Sequence, residues 1–241
     1  MITLLFLLSL EPTETIDLGK ELSSVVMYNN TVYCAPRTGM SIFELTGARK
    51  LRAISFTDNL NYRIFDFAIT PFALYLNNGR SIDKFYFSSG TKETIYSAKN
   101  ISSFTLTSSL EIICADNEMR ELVFLDFTNG VKSKEPDVTV KDIQFVNGTI
   151  HALTKKNIIH FDEHGNVLDK IVIPERLNNI YVDSSNTFLF SPEKDYVYIL
   201  KDGWEKIDFF HGVTDISGNN QLIVILDGSS SRLFFYNKSD F

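Results

Sequence analysis

Two markers recur along the chain in nearly fixed phase, and this periodicity constrains the fold more than any other feature. Turn glycines Gly47, Gly90, Gly130, Gly165 and Gly203 are spaced by 43, 40, 35 and 38 residues. A polar residue that begins an apolar run (Ser24, Asp66, Ser103, Asp142, Asn179, Asp215) recurs at 42, 37, 39, 37 and 36 residues. Each glycine follows its anchor by 23 to 27 residues. A unit of about 40 residues cannot bury its apolar face alone, so successive units must pack on one another.

The content of one unit identifies it. In unit 2, residues 64–69 and 72–76 are apolar runs, Asn77-Asn78-Gly79 turns the chain, and residues 82–87 form a third run. Ser88-Ser89-Gly90-Thr91 turns it again into residues 93–96. Unit 4 repeats this with residues 143–146, 150–153, 158–161 and 167–173. The runs are rich in Phe, Tyr, Ile, Val and Thr, which favour strands, and no window keeps a period of 3.6. Four short antiparallel strands per 40 residues is the pattern of a propeller blade.

The expected fold is therefore all-β: one six-bladed β-propeller over residues 12–241. Its blades fall near 21–60, 61–98, 99–137, 138–175, 176–210 and 211–241. The last unit lacks its fourth strand, and the missing piece lies at the other end of the chain. Residues 13–24, reading TETIDLGKELSS, line up with residues 92–103, reading KETIYSAKNISS. Residues 12–19 are expected to complete blade 6, because an open ring would leave two unpaired strand edges.

The run Ile113-Cys114-Ala115-Asp116-Asn117-Glu118-Met119-Arg120-Glu121-Leu122-Val123-Phe124 resembles the repeats of six-bladed propellers of the NHL and TolB-like type, in which a second strand ends in a V-A-D-like step before a polar loop and an apolar third strand. Residues 33–43 match less well, with Pro36 in place of the aspartate. The resemblance implies architecture and no particular activity.

Bulk properties exclude several classes. The net charge is −7, opposite to what a general nucleic-acid binder needs to displace counterions, and unsuited to adsorption on anionic membranes. Cys34 and Cys114 end apolar runs and read as buried thiols; two cysteines make neither a disulfide framework nor a zinc set. Residues 1–11 form an apolar segment too short to span a bilayer. It resembles the core of a signal segment, although no Lys or Arg precedes it. Export to a periplasm or the exterior is expected, with no stable membrane insertion, as a monomer or as a subunit of an envelope assembly.

First strands of blades line a central channel, so the six anchors should ring one of its mouths. Asp66, Asp142 and Asp215 fall on alternate blades, and three carboxylates could hold a hard cation such as Ca²⁺. The simpler expectation is that each anchor accepts backbone N–H groups in its own turn. Inter-blade connections and the loops between second and third strands should share one face. There Arg37, Tyr62, Arg63, Arg80, Arg176 and His211 are the candidate ligand-binding residues, because guanidinium groups pair with carboxylates in a bidentate fashion. His151 and His160 are expected on adjacent strands of blade 4. Phe209 and Phe210 precede His211 between blades 5 and 6. No nucleophile–base set and no phosphate-binding loop is present. The functional expectation is a non-catalytic binding or scaffold module, without a cofactor, for a protein, peptide or glycan. A second reading is a metal-dependent hydrolase or lactonase with Asp66, Asp142 and Asp215 as ligands.

Overall fold

The computed structural model describes residues 11–47, 49–126, 130–135, 139–192, 194–208 and 212–241. It is a ring of six four-stranded antiparallel sheets. The first strand, β1 (Glu14–Asp17), belongs to the last blade. Blade 1 contains β2 (Ser24–Tyr28), β3 (Thr31–Ala35), β4 (Ser41–Leu45) and β5 (Leu51–Ser55). Blade 2 contains β6 (Asp66–Ile69), β7 (Ala73–Asn77), β8 (Ser81–Tyr86) and β9 (Lys92–Ser97). Blade 3 contains β10 (Ile101–Leu106), β11 (Ile112–Asp116), β12 (Glu121–Asp126) and β13 (Gly130–Glu135). Blade 4 contains β14 (Asp142–Val146), β15 (Thr149–Leu153), β16 (Asn157–Phe161) and β17 (Val167–Val172). Blade 5 contains β18 (Asn179–Val182), β19 (Thr187–Phe190), β20 (Tyr196–Leu200) and β21 (Trp204–Asp208). Blade 6 contains β22 (Asp215–Gly218), β23 (Leu222–Asp227) and β24 (Arg232–Asn237), with β1 as its outermost strand. Among the described residues the helical content is one 3₁₀ turn, Lys238–Asp240. None of their helices is long and apolar enough to cross a membrane.

Burial follows radial position. The second strands Ala73–Asn77 and Ile112–Asp116 are buried at every residue, which is why they read as unbroken runs rather than alternating ones. The outer strands Lys92–Ser97 and Val167–Val172 are largely exposed. Six apolar clusters fill the six junctions, one between each pair of neighbouring blades. Cys34 and Cys114 are buried thiols within two of these clusters. Each junction is thus a small sandwich core, in which strands of one blade supply half of the apolar surface and strands of the next supply the other half.

Closure occurs as the repeat requires. β1 pairs antiparallel with β24, placing Glu14 opposite Phe235 and Ile16 opposite Leu233. Backbone bonds extend the ladder at both ends, from Thr13 N–H to the Phe235 carbonyl and from Leu18 N–H to the Ser231 carbonyl, each 2.8 Å. Ile16 is buried against Leu233 and Phe235 of blade 6 and Val25, Val32 and Cys34 of blade 1. The connection that follows passes so close to Gly228 that a Cβ there would lie 2.6 Å from the Leu22 carbonyl oxygen. Only glycine fits this contact.

Because Ile16 is the buried residue of β1 and packs on both blade 6 and blade 1, Ile16→Ala should cost about 2–4 kcal/mol in a denaturant melt. Thr15→Ala on the exposed side of the same strand should stay within about 0.5 kcal/mol of the parent protein. Equal effects at the two positions would show that closure does not run through this strand.

Candidate functional site

The six anchors stand on the wall of a central cavity of about 850 Å³. Side chains on a strand alternate between faces, so Ala68, Thr105, Gln144, Tyr181 and Ser217, two residues further along their strands, line the same cavity.

The sequence suggested that each anchor caps its own turn. Asp142 and Asp215 do accept the next N–H in chain, from Ile143 and Ile216, both at 2.9 Å. The longer reach is across the blade junction. Asp215 Oδ2 accepts the Val25 N–H of blade 1 at 2.8 Å. Asp142 Oδ2 accepts the Ile180 N–H of blade 5 at 2.9 Å, and Asp66 Oδ2 accepts the Phe104 N–H of blade 3 at 3.3 Å. Ser103 does the same for blade 4, its Oγ accepting the Ile143 N–H at 3.3 Å. Two second rungs repeat the arrangement: Gln144 Oε1 accepts from Val182 N–H and Ser217 Oγ from Met27 N–H. Backbone donors facing the channel have no strand partner on that side, and the preceding blade supplies the acceptor.

The electrostatics follow from this placement. Burial, with the neighbouring Asp142 charge, pushes Asp66 up to about 7. Burial pushes Asp142 to about 6, and burial, with the charges of Asp66 and Asp142, holds Asp215 well above the usual carboxylate range. Geometry points the same way. Ser103 Oγ lies 3.2 Å from Asp66 Oδ2 and 2.8 Å from Asp142 Oδ1. A hydroxyl carries one proton, so both contacts are hydrogen bonds only when one of the carboxyls is itself protonated.

All three carboxyls accept backbone N–H groups of the next blade, and among the described residues no three His, Cys, Asp or Glu side chains cluster as metal ligands would; no chemistry is derived through a cation.

Hydrogen bonds tie the loops of the connection face to the connecting segments. In every blade the loop between second and third strands bonds to the segment leaving the fourth. Ile64 N–H reaches the Arg37 carbonyl in blade 1, and Ala98 N–H reaches the Arg80 carbonyl in blade 2. The Asn117 side chain clasps both backbone groups of Val140 in blade 3. Ile173 N–H meets Lys156, Val213 N–H meets Lys194 and Leu18 N–H meets Ser231 in blades 4, 5 and 6. Arg37, Arg63, Arg80 and Arg176 are exposed on these segments, with Arg63 bridged through its backbone to Thr38. None of the four has an ion-pair partner among the described residues. Arg37 lines the cavity, as do Phe65 and Lys141.

Tyr62 behaves differently. It is buried, its ring packed edge-on against Phe56 and Phe85. Its hydroxyl donates to Asp83 at 2.7 Å. Asp83 is a buried polar centre that no sequence motif marks. Burial alone would raise its carboxyl, but hydrogen bonds from Tyr62 and Thr94 and the Lys92 ammonium outweigh burial and hold it below the usual range. Tyr62 is therefore part of the junction between blades 1 and 2. His211, with Phe209 and Phe210, lies outside the described residues.

His151 and His160 face each other across β15 and β16, ring centroids 4.6 Å apart. Asp169 stands next in the row and accepts from His160 Nδ1 at 2.5 Å. Burial, then the adjacent His160, lower His151 to about 4, so it sits in the junction as a neutral ring.

These features define the class: a six-bladed β-propeller with a central cavity and a connection face that bears exposed arginines. No family model and no curated protein matches the chain. Solved structures do. A catalytically inactive virginiamycin B lyase from Staphylococcus aureus, with quinupristin, is 12% identical with a TM-score of 0.66, over 89% of this chain and 79% of that one. A streptogramin B lyase is 10% identical with a TM-score of 0.67, over 92% and 96%. A chain of the mitotic checkpoint complex is 11% identical with a TM-score of 0.68, over 95% and 92%. Likeness at this identity shows the fold alone, and proteins of such different kinds share it.

The channel carboxyls give a signed pH dependence. Their folded values lie above the unfolded one near 4, so the folded state binds the extra protons. The stability they add is complete below about pH 4 and is lost as pH rises through about 6 to 7. Asp66→Asn should shrink the change in unfolding free energy between pH 5 and pH 8. An unaltered slope would mean that Asp66 titrates normally.

Proposed function

We propose that the protein is a non-catalytic binding or scaffold module whose connection face holds a carboxylate-bearing partner: an acidic protein or peptide segment, or an acidic glycan. One observation carries this reading. Arg37, Arg63, Arg80 and Arg176 are exposed on segments that the loop-to-connection hydrogen bonds hold in place, and their charges have no counter-ion among the described residues. Guanidinium groups pair with carboxylates through two parallel hydrogen bonds, and a preformed surface loses little entropy on binding. The channel supports the same reading from the other side. Its carboxyls accept backbone N–H groups of the next blade, which gives them a part in holding the ring together. The apolar segment at residues 1–11 supports a setting outside the cytoplasm, where the partner would be a surface or envelope component.

Poly-L-glutamate and polygalacturonate serve as probes. At low ionic strength the protein should bind at least one of them despite its own net charge of −7, with affinity falling as salt screens the contact. Replacing Arg37, Arg80 and Arg176 together by Ser should weaken binding by about tenfold or more, as loss of roughly 0.5–1 kcal/mol per exposed ion pair implies. The melting temperature should not change. Absence of binding to both polymers, or binding untouched by the triple substitution, would overturn the proposal.

A further inference from the structure

A second cleft, of about 350 Å³, opens between blades 1 and 2. It lies at the opposite end of the ring from the connection face, because its wall includes Tyr28 at the end of β2 and the turn residues Thr70 and Pro71 that join β6 to β7. Its volume falls in the ~300–1,000 Å³ range of small-molecule sites.

Its floor is a row in strict register across blade 1: Tyr33 on β3 opposite Glu44 on β4, and Glu44 opposite Arg52 on β5. Glu44 and Arg52 form an ion pair. Propeller packing does not demand polar groups here. The corresponding row of blade 5 runs from Phe188 through Ile199 to Glu205, with a buried apolar residue in the place of Glu44. On the far side stands Phe87, 44% exposed, tied by its N–H to the carbonyl of Phe72, which is 70% exposed.

These features select a ligand. Aromatic rings left in water favour an occupant with an apolar face. The polar floor is a neutral pair, so an ion of either sign would meet one like charge and would have to break the pair. Glu44 offers acceptors and Arg52 a planar set of donors, which suits adjacent groups that both donate and accept. A pyranose ring has these properties together: a C–H face, a rim of hydroxyls and no charge. We propose that the cleft is a subsite for a neutral hexopyranose unit of a glycan, with the sugar ring against Tyr28, Tyr33 and Phe87 and its hydroxyls on Glu44 and Arg52. This site is independent of the connection face.

Saturation-transfer NMR and calorimetry with four neutral trisaccharides (a β-glucan, an α-glucan, a mannan and a galactan fragment) test it. At least one should bind, and Phe87→Ala and Glu44→Gln should each weaken it by about tenfold, the equivalent of ~1.4 kcal/mol. Neither substitution touches a fully buried side chain, so both variants should keep the parent melting temperature. The arginine triple variant of the connection face should bind the sugar normally. The proposal fails if none of the four binds at ~10 mM, a Kd weaker than any useful recognition, or if binding survives both substitutions.

Discussion

A side chain on one blade accepting a backbone N–H from the next is the bond on which this ring depends. Apolar clusters press the blades together but are not directional, and alone they would tolerate sliding of one sheet over another. The channel-side bonds from Asp66, Ser103, Asp142 and Asp215 fix the register between first strands at four of the junctions. Each also satisfies a donor that would otherwise face the cavity unpaired. Using carboxyls for this purpose crowds negative charge into one narrow space. The protein tolerates this because burial and mutual repulsion favour the protonated forms.

That arrangement separates architecture from recognition. The inner surface is occupied by bonds that hold the ring together, so variation can fall on what the ring displays. Its two ends are chemically different. One carries arginines on loops bound to the connecting segments. The other carries a cleft whose floor pairs Glu44 with Arg52 below exposed aromatic rings.

Much of the architecture was legible in the sequence because it is periodic. Residues 13–24 repeat the pattern of residues 92–103, and that likeness alone located the closing strand. What was not legible depends on partners distant in sequence. Nothing near Asp142 indicates that its acceptor oxygen will meet an N–H 38 residues ahead, nor that Asp215 will meet one 190 residues back. Tyr62 looked like a loop residue, since the segment around it is polar. Its burial depends on Phe56, Phe85 and Asp83, which assemble only once blades 1 and 2 pack. The facing of His151 and His160 followed from adjacent strands. Asp169 beside them did not, because the register of β17 shifts at a bulge next to His160.

The manner of closure also sets how the ring responds to force. β1 and β24 run antiparallel, with Glu14 at the start of one beside Phe235 near the end of the other. Tethers drawn from these two strands therefore leave the molecule side by side. Tension between them loads the closing ladder one hydrogen bond at a time, like a zipper, rather than shearing all of its bonds at once. The seam that closes the ring is thus also the place where a pull on these two strands would act.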